Sequence, residues 1–157
     1  MLSSALASAC HVFGIAIALG SIYLRARAFF DVAGGDRAAL ARAFRADNAW
    51  GISALLVIGS GVARAFGGLE KGTYFYTHNY AFMLKLTLFA VVVLLEVWPM
   101  VTLVRWRIAL GRGRVVDDVV LRAHAAVFAR ISAVEAALVA VLIVVAPFMA
   151  RAAWMAH

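Results

Sequence analysis

The chain has one cysteine, Cys10, among its 157 residues. That excludes an intrachain disulfide and any cysteine-built metal cluster, and Cys10 reads as a small apolar packing residue. Glycines occur in short clusters, Gly34-Gly35 and Gly67-Gly68, which punctuate loops rather than forming a Walker or dinucleotide fingerprint. There is no His-Glu-x-x-His and no Glu-x-x-His di-iron pair, and no serine or cysteine triad can be assembled. Lysine is scarce, Lys71 and Lys85 against thirteen arginines. No internal repeat and no low-complexity segment beyond alanine richness is present. No basic residue precedes the first apolar run, so a cleaved secretory signal is disfavoured and a retained anchor is expected.

What fills the chain instead is apolar. Hydrophobic residues make up 66% of it, against about half in soluble domains, and the mean hydropathy is +0.95. A single domain of this size cannot hide so much apolar surface from water, so lipid is the expected solvent. Four apolar segments stand out, at about 5–24, 50–66, 82–104 and 126–149. About 20 residues cross the hydrocarbon, and modest loops join antiparallel neighbours. The expected fold class is therefore all-α, a single-domain, four-transmembrane-helix, up-down-up-down bundle. The second segment is short and ends near Arg64, which suggests local thinning or snorkelling.

The formal charge of +7 is spread between apolar runs rather than gathered in a patch, so no nucleic-acid partner is expected. Arg25, Arg27, Arg37, Arg42 and Arg45 fall between segments one and two. Arg105, Arg107, Arg112, Arg114 and Arg122 fall between three and four. The middle connection holds only Lys71 and an aromatic run from Tyr74 to Tyr80 suited to an interface. The positive-inside rule then places both arginine-rich connections in the cytoplasm and both termini outside. Asp36 followed by Ala38–Arg45, with Leu40 and Phe44 four apart, suggests a short amphipathic helix lying on the inner surface. Asp117 and Asp118 are placed to begin the fourth helix.

An ionisable group at membrane depth is a functional candidate by default. His11, Arg64 and Lys85 fall toward the outer face. At about 1.5 Å rise per residue, His11 lies roughly 10 Å and Lys85 roughly 8 Å below it. Glu96 and Glu135 fall deeper, with Asp47 and Asn48 nearer the cytoplasmic edge. Lys85 and Glu96 are about three turns apart and share a face, as do His124 and Glu135. Ala7, His11, Gly14, Ala18 and Ser21 form a small-residue stripe. Such a stripe allows close helix approach or leaves room for a flat cofactor beside an axial histidine. Lys85 either snorkels or supplies an amine that can lose its proton, as arginine cannot. Glu96 and Glu135 are expected to pair with arginines such as Arg130 or Arg105, or to bridge helices as protonated donors, with a proton relay as the alternative. His78, His124 and His157 read as surface residues.

His11-Val12-Phe13-Gly14, the stretch Ala46 to Gly51, and the run His78 to Lys85 resemble the bacterial predicted membrane proteins grouped as domain of unknown function 2214. More distantly, the chain is similar to HemJ-type protoporphyrinogen oxidases, small helical membrane proteins with a histidine in the first span and a lysine near the start of the third. His11 and Lys85 match those two positions, while the first span lacks the characteristic tryptophan of that group. The resemblance implies a bacterial inner-membrane protein binding haem b, with His11 as an axial ligand. Lys85 or His78 would be second ligand or propionate partner, and Arg64 a further propionate partner. Electrons would pass between a quinone or porphyrin-like donor and an acceptor. Transport, a noncatalytic assembly role and a homo-oligomer built on Gly51, Gly59 and Gly61 are the other readings.

Overall fold

A computed structural model describes residues 2–68 and 78–152. Four helices account for nearly all of them: α1 (Leu2–Ala33), α2 (Ala39–Phe66), α3 (Tyr80–Gly111) and α4 (Asp118–Ala152). Each is long and apolar enough to cross a membrane. The all-α bundle expected from hydropathy is the fold. Much of the expected middle connection, with Lys71 and Tyr74 to Thr77, lies outside the described residues, as does His157.

The helices extend well beyond the apolar segments. Residues 38–45 do not form a separate surface helix. From Ala39 onward they are the first turns of α2, which at 28 residues is no short span. The physical reason is that Arg25, Asp47 and Arg107, charges that flank the apolar runs, find partners inside the bundle, so their helices continue past them. Helix starts follow local chemistry. Asp36 Oδ1 accepts from the amides of Ala38 and Ala39, Asn79 Oδ1 from those of Ala81 and Phe82, and Asp117 Oδ1 from those of Val119 and Val120. Each satisfies donors that a helix start leaves orphaned. The α1–α2 turn needs Gly35, whose φ of +105° suits glycine.

Buried positions recur at intervals of three and four: His11, Gly14, Ala18, Ser21, Arg25, Ala28 and Val32 on α1, and Val92, Glu96, Pro99, Leu103 and Trp106 on α3. On α4 they are Leu121, Ala125, Phe128, Ser132, Glu135 and Val139. That spacing is the seam of a left-handed bundle. The backbones approach on three sides, α1–α2 most extensively, then α1–α4 and α3–α4. The fourth side, α2–α3, has little backbone approach among the described residues. It is bridged by the Arg107 side chain.

The two ends of the bundle differ. At the arginine-rich end, Phe29, Leu40, Leu103, Trp106, Leu121 and Phe128 belong to one apolar cluster. There Phe29 and Phe128 meet edge-to-face at 5.4 Å between centroids. Midway up, Ile22, Trp50, Val92 and Val139 form a smaller cluster. Toward the termini the core thins, and α3 buries nothing between Tyr80 and Val91.

Candidate functional site: a buried arginine cluster and a fixed histidine

The middle of the bundle is built around Arg25. Its position follows from the α1 stripe, because it lies one turn beyond Ser21 on the face that carries His11. The residue is completely buried, not part of a loop as its place after the first apolar run suggests. A guanidinium has five N–H donors, and here all five are used. Nε donates to Ser132 Oγ at 3.2 Å. Nη1 donates to Asp47 Oδ1 at 3.3 Å and Glu96 Oε1 at 2.6 Å. Nη2 donates to Glu96 Oε2 and Glu135 Oε2, both at 2.6 Å. The pairing with Glu96 is bidentate, the strongest and most directional form of this contact. The face of Trp50 lies 5.8 Å from the guanidinium carbon, within cation–π range.

One arginine thus gathers carboxylates from the three other helices. Asp47 comes from α2, Glu96 from α3 and Glu135 from α4. Glu96 and Glu135 lie near the midpoints of their helices. A second arginine closes the cluster from the arginine-rich end. Arg107 donates to Asp47 Oδ2 at 2.9 Å, Asn48 Oδ1 at 2.6 Å and the Phe44 carbonyl at 2.8 Å. It also stacks on the Phe44 ring at 4.9 Å. Burial deepens along this line: the side chain of Arg107 is 31% exposed, Asp47 10% and Glu135 0%. Two buried atoms of the cluster have no hydrogen-bond partner among the described residues, Arg107 Nε and Glu135 Oε1.

The sequence-predicted pairing of Glu96 and Glu135 with Arg130 or Arg105 is corrected here. Both of those arginines are exposed, because neither lies on the buried stripe of its helix. Arg25 takes their place. Arg25 was hidden among the loop arginines, and its signal was the i+4 step from Ser21 along the small-residue stripe. His124 is corrected as well. It is half-buried rather than on the surface, within 6 Å between ring centroids of Trp98, Trp106 and Phe128, with its Nδ1 2.8 Å from the Val120 carbonyl.

The second feature lies toward the termini. His11 is buried, with Nδ1 2.9 Å from Ser60 Oγ on α2. The Ser60 hydroxyl also lies 2.5 Å from the carbonyl of Leu56 and 3.3 Å from that of Val57. With its one proton on the Leu56 carbonyl, Ser60 Oγ accepts from His11 Nδ1, the tautomer in which Nε2 carries the lone pair. Close helix approach holds the pair together. A Cβ on Gly14 would stand 2.9 Å from Val57 Cγ2, and one on Gly61 3.5 Å from His11 Cε1. Between α1 and α2, the small stripe is used for packing.

Of the other predicted residues, Arg64 and Lys85 are half-buried and His78 is exposed just ahead of α3. Arg64 follows Gly61 by three residues, so it stands about one turn beyond the His11 contact. Glu96 and Glu135 are brought together through Arg25. Among the described residues no set of three or more His, Cys, Asp and Glu side chains is arranged to hold a bare metal ion. A family model described as predicted membrane protein, domain of unknown function 2214, matches residues 3–153. The chain belongs to that family. Its members are defined by sequence as membrane proteins, which agrees with four spanning helices. No curated protein and no solved structure matches.

Proposed function

We propose that this member of the 2214 family is a b-type haem-binding redox protein of the bacterial inner membrane, with both arginine-rich connections in the cytoplasm and both termini outside. The observation that supports it best is the buried contact between His11 Nδ1 and Ser60 Oγ. An axial histidine is held by a hydrogen bond from its other ring nitrogen, which fixes the ring and directs the basic nitrogen outward. Ser60 Oγ is placed to accept such a bond from Nδ1, so the chemistry of the pair fits a haem ligand. His11 Nε2 is the axial donor in this reading. Lys85 or His78 serves as second ligand or propionate partner, and Arg64 as a further propionate partner. α3 buries no side chain from Tyr80 to Val91, so in this reading a macrocycle would cover that surface of the terminal half. A bound haem supplies one-electron chemistry between a quinone or porphyrin-like donor and an acceptor. The protein's own residues hold and orient the group. The orientation rests on the clustering of arginine in the two connections at one end.

The test is an absorption spectrum of the full chain purified in detergent from haem-replete cells, oxidised and reduced. A Soret band that disappears in His11→Ala is expected, and a colourless protein overturns the reading. The Arg25 cluster favours a second reading, a proton-relay or transport component. Proteoliposome flux that falls in Glu96→Gln yet ignores haem depletion selects it.

A further inference from the structure

Counting the charges of the Arg25 cluster gives an imbalance. Its groups come from every helix: Arg25 from α1, Asp47 from α2, Glu96 and Arg107 from α3, and Glu135 from α4. Asn48, Trp50 and Ser132 complete its walls and carry no charge. Three carboxyl groups thus face two guanidiniums, which stay protonated under all ordinary conditions. If every carboxyl were ionised, one negative charge would be left unbalanced in the middle of a membrane bundle, where unpaired charge is most costly.

The geometry shows where the excess falls. Arg25 has spent all five donors, and Glu96 receives two of them in a bidentate pair. Asp47 is served by both arginines. Glu135 receives one donor on Oε2, while its fully buried Oε1 has no partner among the described residues. We infer that the cluster is a proton-binding site, in which the three carboxyl groups share one resident proton carried principally at Glu135 Oε1. A proton adds no bulk, whereas a metal ion at Oε1 would meet the guanidinium already bonded to the same carboxyl group. Binding converts one carboxylate to a carboxylic acid and leaves two carboxylates against two guanidiniums. Burial falls from Glu135 through Asp47 to Arg107, so exchange with water is expected from the arginine-rich end. The inference is independent of haem, because none of its groups belongs to the His11 site.

The test is infrared spectroscopy of the full chain in detergent at neutral pH, with and without carbon-13 in the carboxyl groups of aspartate and glutamate. The label separates protein carboxyls from those of any cofactor or lipid. A single protonated-carboxyl C=O band that shifts on labelling and exchanges slowly in heavy water is expected. Glu135→Gln, Glu96→Gln and Asp47→Asn should each abolish it, since each alone restores two against two. Helicity and a monodisperse elution profile identify the variants that fold. Absence of the band from the wild-type chain overturns the inference by itself. So does its survival in any folded variant of the three, because the proton would then answer to a local environment and not to the charge count. Either result leaves the haem reading standing or falling on its own spectrum.

Discussion

The arginine-rich half and the terminal half of this bundle are built on different terms. In the first, aromatic and aliphatic side chains from all four helices interlock. Above them a buried arginine ties one carboxyl group from each of the other helices. In the second, contact is concentrated in one seam, where Gly14 admits Val57 and His11 meets Ser60, while α3 contributes nothing buried before Val92. In lipid, apolar burial gives little driving force between helices, so packing and polar links decide where they hold. One half uses both. The other leaves surface to lipid or to a ligand.

Substitutions in each half test this difference. The largest effect is expected from Arg25→Met, which strands Glu96 and Glu135 and leaves Asp47 with Arg107 alone. Breaking a buried ion pair from one side costs about 3–5 kcal/mol, measured as lost stability to denaturant in mixed micelles. A loss below about 1 kcal/mol would show that this half is held by its apolar core alone. Gly14→Val comes next, because a side chain there must displace Val57. Overpacking of this kind costs about 1–3 kcal/mol, and wild-type stability would mean that α1 and α2 separate at no cost. Ser60→Ala should cost about 1 kcal/mol or less. It also frees the imbalance between the ring nitrogens of His11, readable as a changed tautomer ratio by nitrogen-15 NMR. An unchanged ratio would remove Ser60 as the group that fixes the ring. The smallest effect is expected from Leu94→Ala on α3, 72% exposed, with a change within about 0.5 kcal/mol. A larger loss would reveal that this face is covered by a second chain.

Much of the bundle was legible in the sequence. Four apolar runs gave the number and class of the helices, and Asp117 marked the start of α4. The ends of the helices were not legible, because hydropathy falls at the first charge while a helix ends only where its hydrogen bonding or its packing ends. Residues 38–45 were set apart for that reason, and from Ala39 onward they belong to α2. The site was half legible. Glu96, Glu135 and His11 were identified by their depth, and all three are buried. Arg25 was not, since a rule that counts arginines toward orientation assigns each one to water. Its place on the His11 stripe was the available contrary signal, and periodicity outweighs residue type when a charged group has partners waiting.

The sequence alone determined that lipid surrounds this chain, that it crosses four times, and that ionisable groups lie at depth. Those conclusions depend on composition and on spacing along one helix at a time. Only the tertiary structure decided which charges meet. Ion pairing across 71 and 110 residues of separation, Arg25 to Glu96 and to Glu135, depends on the rotation and vertical register of each helix against the others. Neither quantity is encoded in any single span. The same register brought His11 to its partner, because the Ser60 that meets its Nδ1 lies 49 residues away on another helix.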